Sequence, residues 1–309
     1  MKKNMKRIGA LLAAATLTVS ALTGCGSTGG TAQQTKDTFV IAYAPNESTE
    51  ESTDARQGLA KDLEEELGVT VKEIQASDYN AIIEALRTGK ADAAYIGALA
   101  IAYANDRAEA IPVAMKAPDG DKSQAVYHSL LITSSKNDDI NSIEDIKGKS
   151  IAFVDPESTS GNLFPMYDII KAFPDENLTS DDLHINGKFF SATSYSGKHQ
   201  AGLQAVIKGD VDVVPISDQI LASEIENGNA KEEDVKIIHT SDAIPAEGFV
   251  VSKNVSDDVR TQFQQFLLNY DNSEYFDKVI KVPNARFVEA SIDDYQIVID
   301  LNKTMNTEL

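Results

Sequence analysis

The segment that decides the fold reads Phe153-Val154-Asp155-Pro156-Glu157-Ser158-Thr159-Ser160-Gly161. A buried strand, predicted over 150–154, breaks at the Asp-Pro pair, passes through three hydroxyl residues and opens a helix that runs to residue 172. Pro165 fits this helix because proline is tolerated in a first turn, where its missing N–H would have no partner. Unpaired N–H groups and the positive dipole end make a helix start a site for anions.

The three consecutive hydroxyl residues favour a ligand at this helix start. Ser158, Thr159 and Ser160 supply O–H donors, and Gly161 lets a tetrahedral anion approach the backbone closely. The alternative is a plain Ser/Thr N-cap without a ligand. Capping needs one hydroxyl and the segment has three, so an anion site is the preferred interpretation.

Around this segment, short apolar runs alternate with amphipathic helices. The first elements are predicted as strand 39–43, helix 54–67, strand 69–74, helix 79–87 and strand 91–96. Gly68 closes the first helix, and the part of the chain after Asp257 is predicted to be helical. Strands that alternate with helices imply mostly parallel sheets with helices on their faces, an α/β fold.

One stretch recurs in outline, because residues 85–94 resemble residues 205–214. Each has a helix that stops at Gly, a polar turn, and a strand with Asp at its second position. The likeness is too short to prove duplication, since helix–Gly–strand turns are common. It fits two lobes of similar design, with lobe 1 predicted over 38–131 and 248–309 and lobe 2 over 132–247.

The N-terminus predicts export and anchoring. Four basic residues in the first seven precede an uncharged apolar run over 8–22, which is typical of a secretory signal. The run ends in Leu22-Thr23-Gly24-Cys25 and resembles a bacterial lipoprotein signal, so residues 1–24 are predicted to be cleaved and Cys25 to be lipidated. The alternative is an ordinary secretory peptide with an incidental Cys. Residues 25–37 are predicted to form a flexible linker.

Composition and missing motifs exclude several functions. The chain has 309 residues, 28 Lys and Arg against 48 Asp and Glu, one Cys and a net charge of −20. The acidic balance argues against a nucleic-acid partner, and one Cys excludes an intrachain disulfide framework. No nucleotide-binding P-loop, His-Glu-x-x-His or Gly-x-Ser-x-Gly motif occurs in the sequence. We therefore predict no cofactor, no metal site and no catalysis.

Four separated segments resemble the phosphonate-binding (PhnD-like) family of ABC-transporter substrate-binding proteins. The segments are Ser77-Asp78-Tyr79-Asn80-Ala81-Ile82-Ile83-Glu84-Ala85-Leu86; Tyr127-His128-Ser129; Asp155-Pro156-Glu157-Ser158-Thr159-Ser160-Gly161; and Asp293-Asp294-Tyr295. The resemblance spans 38–300. It implies a two-lobed periplasmic-binding-protein fold of type II, with each lobe a mostly parallel sheet flanked by helices and a ligand cleft between the lobes. It also implies ligand delivery to a permease without catalysis.

The same resemblance implies which residues bind the oxyanion. The implied donors are Ser158, Thr159, Ser160, Tyr79, Tyr127 and His199. The family's loop usually reads Gly-x-His, and here Lys198 stands between Gly197 and His199. The remaining histidines, His128, His184 and His239, are interpreted as structural or exposed.

Two acids complete the predicted cleft. Asp218 follows the strand predicted over 211–216, and Glu247 precedes a predicted return strand over 249–252. In similar aminoalkylphosphonate binders, acids at matching places hold the ligand's ammonium group, although the place of Glu247 often carries Asp. A buried carboxylate without a cation is costly, so the two acids predict a cationic ligand tail. The alternative is that one or both face solvent.

The sequence thus predicts a monomeric, lipid-anchored solute-binding protein at the outer face of the bacterial cell membrane. It would bind a phosphonate-type oxyanion resembling 2-aminoethylphosphonate and deliver it to an ABC permease with a cytoplasmic ATPase. Phosphite, phosphate or an alkylsulfonate is the alternative ligand. An extracytoplasmic hydrolase using Ser158 or Ser160 with His199 is a less favoured function, and a sensory module with the same pocket is a third.

Overall fold

The computed structural model describes residues 37–47, 50–282 and 284–307. The predicted signal peptide, Cys25 and all but the last residue of the predicted linker lie outside the described residues. Within the described ranges, no helix combines the length and the apolar composition that crossing a bilayer requires.

Strands and helices alternate along most of the chain. The strands are β1 Thr38–Tyr43, β2 Thr70–Gln75, β3 Ala93–Ile96, β4 Ile111–Ala117, β5 Val126–Tyr127, β6 Ser129–Ser134, β7 Ser150–Phe153, β8 Ala192–Tyr195, β9 Val213–Ser217, β10 Val235–Thr240, β11 Ile244–Pro245, β12 Gly248–Val251 and β13 Arg286–Glu289. The α-helices are α1 Thr53–Leu67, α2 Tyr79–Arg87, α3 Ala98–Ala108, α4 Phe164–Ala172, α5 Ser180–His184, α6 His199–Lys208, α7 Asp218–Glu226, α8 Asp257–Asn269, α9 Ser273–Tyr275 and α10 Gln296–Thr307.

The strands form two main sheets. The first sheet has the order β13-β4-β12-β3-β1-β2, and the second has the order β10-β6-β9-β7-β8. In the first sheet β1 pairs in parallel with β2 and β3, whereas β12 runs antiparallel to β3 and β4. In the second sheet β7 is parallel to β8 and β9, whereas β6 is antiparallel to β9 and β10. Since β13 is also antiparallel to β4, the two sheets of the described residues contain four parallel and five antiparallel pairs, so both are mixed, although most strands in each sheet point the same way.

The chain crosses between the two sheets twice. The short strands β5 and β11 lie on these crossings and pair antiparallel with each other. The crossing after β11 returns through β12, one residue earlier than the predicted return strand. The strand β6 pairs along its length within the second sheet. The lobe bounds 38–131 with 248–309 and 132–247 stay a prediction.

Helix α1 shows how the sequence pattern produces a packed element. Leu59 and Leu63 are one turn apart and fully buried, as an amphipathic helix requires. The helix ends at Gly68, whose φ of 66° lies in the left-handed region that glycine tolerates best. On the same face of the first sheet, the Phe263 ring of α8 lies 5.1 Å from that of Phe39. The predicted helix 54–67 is confirmed. The part from Asp257 on is helical as predicted except for the strand β13, Arg286–Glu289, which that prediction missed.

The two recurring stretches have the same local structure. Gly89 and Gly209 both adopt positive φ, at 69° and 79°. Asp92 accepts a hydrogen bond from the N–H of Val40 at 2.8 Å, and Asp212 accepts one from the N–H of Ser150 at 2.8 Å. Each Asp precedes its strand and accepts a hydrogen bond from the backbone of a neighbouring strand, β1 or β7. The two aspartates therefore have a structural role and are not part of the candidate site.

Candidate functional site

The hydroxyl segment begins with a tight turn. Ser158 is the N-cap of a π-helical turn, Thr159–Leu163, that continues into α4. The residue pattern predicted an ordinary helix start here, and the wider turn is a correction. Ser158 Oγ accepts a hydrogen bond from the Gly161 N–H at 3.1 Å. A Cβ on Gly161 would lie 2.4 Å from the Val154 side chain and 2.7 Å from Ser158 Oγ, so this position requires glycine.

The other two hydroxyls contact the first turns of two further helices. Thr159 and Ser160 are each 2% exposed. The Leu99 N–H, in the first turn of α3, donates to Thr159 Oγ1 at 2.9 Å. Ser160 Oγ lies 3.4 Å from Nε2 of His199, the first residue of α6. The first turns of two helices therefore lie beside these hydroxyls, an arrangement that favours an anion.

Both predicted tyrosines are buried beside this turn. Burial raises the pKa of Tyr127 above its usual range, and so does the charge of Glu247, while hydrogen bonds to Ser160 and Thr159 lower it in part. Burial also raises the pKa of Tyr79, the first residue of α2, well above its usual range. Both phenols therefore keep their protons at neutral pH and can donate hydrogen bonds.

An asparagine that the sequence analysis missed joins these parts. Asn46 follows β1, and its side-chain amide donates to the Tyr79 hydroxyl oxygen. Its Oδ1 accepts from the backbone N–H of His199 at 3.1 Å. Because the Tyr79 oxygen already accepts from Asn46, its own proton is directed elsewhere. The rule that ligands bind at strand ends was the one available signal for Asn46.

His199 is held neutral by its surroundings. It is 2% exposed, and burial lowers its pKa to about 4, against the attraction of Glu247. Gly197, two residues earlier, has a φ of 76°, which explains why glycine precedes the histidine in this loop. With a pKa this low, His199 acts as a hydrogen-bonding group at neutral pH and is a weak general base.

The predicted acid Asp218 lies at the partly exposed edge of the site. It is the first residue of α7, and its Oδ2 lies 3.2 Å from Nδ1 of His128. Its backbone N–H donates to the carbonyl oxygen of His128 at 3.0 Å. About a third of the Asp218 side chain is exposed. This carboxylate therefore has a partner within the chain, which is the histidine next to Tyr127.

The second predicted acid, Glu247, is paired with a lysine that the sequence analysis also missed. The Lys116 ammonium contacts the Glu247 carboxylate, and the two side chains are only 5% and 12% exposed. The predicted ammonium site assumed that Glu247 is a buried carboxylate without a cation. In the structure Lys116 is that cation, so the assumption does not hold for Glu247. A charged residue inside the otherwise apolar strand β4 was the signal for Lys116.

A third buried acid, Glu47, lies close to these charges. It is 8% exposed, and its Oε2 has no hydrogen-bond partner in the part of the chain that the structure describes. Burial and, second to it, the charge of Glu247 raise the pKa of Glu47 to about 8, although Lys281 and Lys116 oppose the rise. Glu47 follows β1, and no sequence pattern distinguished it from the chain's many other acids.

All eight predicted ligand-binding residues thus lie in one region, with Asp218 at its edge. Ser158, Thr159, Ser160, Tyr127 and His199 share direct contacts, and Asn46 connects Tyr79 to them. The arrangement offers neutral hydrogen-bond donors at helix starts, which suits an oxyanion. The part that each residue takes in ligand binding stays a prediction.

Comparison with known proteins gives matches along most of the chain. A family model described as the periplasmic phosphonate substrate-binding protein of ABC transporters matches residues 41–295. A phosphate-import protein, PhnD, of Mycolicibacterium smegmatis is 28% identical over 241 residues, which cover 76% of this chain and 74% of the relative. A phosphonates-binding periplasmic protein of Escherichia coli is 32% identical over 231 residues, which cover 71% of this chain and 64% of the relative.

Solved structures also match this chain over most of its length. A binding protein component of a phosphonate ABC transporter from Pseudomonas aeruginosa has a TM-score of 0.75 and 25% identity, over 88% of this chain and 87% of the other. PhnD1 of Prochlorococcus marinus, solved with methylphosphonate, has a TM-score of 0.73 and 20% identity, over 87% of this chain and 98% of the other. These likenesses confirm the predicted two-lobed α/β fold of type II binding proteins.

Proposed function

The chain belongs to the family of periplasmic phosphonate-binding proteins of ABC transporters, and we propose that it captures a phosphonate-type oxyanion and delivers it to an ABC permease. The relatives that it matches are transport proteins and not enzymes. One observation carries the choice of site. The hydroxyls of Thr159 and Ser160 are buried at the start of one helix and contact the first turns of α3 and α6.

The proposed ligand contacts are hydrogen bonds and not ion pairs. Hydrogen bonds to ionised groups contribute about 1.5–3 kcal/mol each, so five or six donors support roughly micromolar affinity after the cost of association. The net charge of −20 does not prevent this, because distant charges are screened over about 8 Å at physiological salt. The donors act at contact distance.

The sequence-based ligand candidate is a compound resembling 2-aminoethylphosphonate. Phosphate import, phosphonate binding and phosphite binding all occur among the names of the relatives, so phosphate and phosphite stay alternatives. Calorimetry with methylphosphonate, 2-aminoethylphosphonate, phosphite, phosphate and methanesulfonate separates these classes. Heat with the sulfonate alone would reject the phosphorus oxyanion.

A pair of variants tests the proposed site. Thr159→Ala removes one hydroxyl, so the Kd for every phosphorus oxyanion should rise about 10- to 100-fold, as expected for one or two lost charged hydrogen bonds. Thr159→Ser keeps the hydroxyl and should stay within a few fold of wild type. Thr159→Ser should keep nearly the wild-type melting temperature, whereas Thr159→Ala also leaves the buried Leu99 N–H without its acceptor and should melt several degrees lower. Unchanged affinity in Thr159→Ala would place the anion elsewhere.

The hydrolase alternative has one observation in its favour, the 3.4 Å approach of Ser160 Oγ to His199 Nε2. The low pKa of His199 argues against it, since a general base works best with a pKa near the operating pH. Incubation of purified protein with phosphonate and carboxylate esters should leave them intact. Turnover that is lost in Ser160→Ala would instead establish the hydrolase.

The proposal includes attachment to the outer face of the cell membrane through a lipid on Cys25, with a monomeric folded part. Membrane fractions should contain the wild-type protein, and Cys25→Ala should move it to the soluble extracytoplasmic fraction. An unchanged distribution would reject the lipid anchor without touching the binding function.

A further inference from the structure

Lys116 and Glu247 form a buried ion pair that is anchored twice. Besides the contact between their side chains, the backbone N–H of Lys116 donates to the carbonyl oxygen of Glu247 at 3.1 Å. Lys116 comes from β4, an inner strand of the first sheet, and is 4% exposed. The ammonium group is therefore held at this carboxylate by the fold and not by a mobile surface side chain.

The pair lies next to the hydroxyls that are proposed to bind the oxyanion. A Cβ placed on Gly97 would lie 3.3 Å from Thr159 Oγ1 and 3.9 Å from Glu247 Cγ, so both side chains approach the same point. The Lys116 Nζ lies 6.0 Å from the centre of the Tyr127 ring. A ligand seated on Thr159 and Ser160 would therefore extend its tail toward a carboxylate that already holds a cation.

The surrounding charges also disfavour a second cation. The pKa of Glu47 is about 8, so Glu47 is mostly protonated at neutral pH, and the carboxylate of Glu247 faces the two lysines Lys116 and Lys281. The Lys281 ammonium also donates to the carbonyl oxygen of Asn46 at 3.2 Å. An incoming ammonium group would have to displace a tethered lysine or lie beside it without water, and like charges repel strongly in such a site.

We propose that Lys116 takes the place of a ligand cation at Glu247, so that this site selects phosphorus oxyanions without an ammonium tail. The proposal rests on the proposed function and refines its ligand class. Methylphosphonate, phosphite or phosphate is then preferred over 2-aminoethylphosphonate. Lys116 is a specificity residue here, because it acts on the tail and not on the oxyanion head.

The experiment measures the ratio of the Kd values for 2-aminoethylphosphonate and methylphosphonate by calorimetry. In the wild-type protein the ratio should be at least tenfold in favour of methylphosphonate. Lys116→Met frees Glu247 for an ammonium group and should lower the ratio at least tenfold. Lys122→Met, which replaces a half-exposed lysine paired with Asp294, is the matched control and should keep the wild-type ratio.

Two further variants keep the proposal testable if Lys116→Met folds poorly. Glu247→Gln leaves the Lys116 charge without its partner, so the ratio should stay in favour of methylphosphonate or rise, because an ammonium tail then meets an uncompensated like charge. The double variant Lys116→Met/Glu247→Gln removes both charges and should show no gain for 2-aminoethylphosphonate. A wild-type preference for 2-aminoethylphosphonate, or an unchanged ratio in a folded Lys116→Met protein, would overturn the proposal. Absence of binding to every phosphorus oxyanion would instead reject the proposed function.

Discussion

The two ends of the candidate site stabilise their polar groups in different ways. The hydroxyl end, formed by Ser158, Thr159, Ser160 and His199, is neutral and is held by backbone groups at helix starts. The charged end, formed by Glu47, Lys116 and Glu247, places two acids beside lysines in a buried environment. The hydroxyls keep one protonation state across a wide pH range, and His199 takes up a proton only near pH 4. At the charged end Glu47 changes its protonation state near neutral pH. The stability and the ligand specificity of this end therefore depend on the charged residues that surround it.

The largest expected effect concerns the charged end. The pKa of Glu47 is raised from 4.5 to about 8 in the folded protein. The unfolded chain loses this proton first, so Glu47 lowers the free energy of unfolding as pH rises from 4.5 to 8, by about 4 kcal/mol at most. Urea unfolding at pH 5 and pH 8 should show a smaller decline in Glu47→Gln than in wild type.

Glu65→Gln, at an exposed position of α1, is the control for that measurement and should follow the wild-type curve. Equal declines in Glu47→Gln and wild type would mean that Glu47 is ionised in the folded protein. The charged end would then resemble an ordinary solvated surface.

At the hydroxyl end the pH dependence of stability has the opposite sign. The pKa of His199 is lowered from 6.5 to about 4, so its contribution to stability is complete above pH 6.5 and is lost as pH falls toward 4. The loss is roughly 3 kcal/mol at most. His199→Gln should therefore lose less stability than wild type between pH 7 and pH 4.5 in urea unfolding. Parallel curves would show that His199 is not held neutral.

A smaller effect tests the shape of the hydroxyl end. Gly161→Ala forces a methyl group against Val154 and Ser158, so the free energy of unfolding should fall by about 1–3 kcal/mol and oxyanion binding should weaken. Gly58→Ala is the matched control, since nothing lies within 4 Å of its Cβ in α1, and it should be neutral or stabilising by up to about 1 kcal/mol. Denaturant midpoints and calorimetry check both variants.

The smallest effect is expected at the edge of the site. Asp218 is about a third exposed and pairs with the similarly exposed His128, so Asp218→Asn should change stability by less than about 1 kcal/mol. Its affinity for methylphosphonate should stay within about twofold of wild type. Any loss should be confined to 2-aminoethylphosphonate. An equal loss for both ligands would show that Asp218 supports the oxyanion head and not a tail.

Much of this architecture follows from local pattern. The alternation of apolar runs with amphipathic helices predicted the α/β fold, and helix 79–87 has the predicted bounds. Several strand bounds shifted by one or two residues, for example from 69–74 to Thr70–Gln75, because pairing and not composition sets where a strand ends. The hydroxyl segment was predicted as a helix start, and its π-helical turn was not, since that depends on the close contact of Gly161 with Val154.

The sequence by itself determined the fold class, the family and the hydroxyl end, because each depends on residues adjacent in the chain: the periodicity of elements, the Asp-Pro break and three consecutive hydroxyls. The tertiary structure alone decided the charged end. Lys116 and Glu247 are 131 residues apart and meet because β4 and the residues before β12 run side by side in one sheet. Whether a buried acid faces a ligand or a lysine depends on such long-range pairing, which no local pattern records.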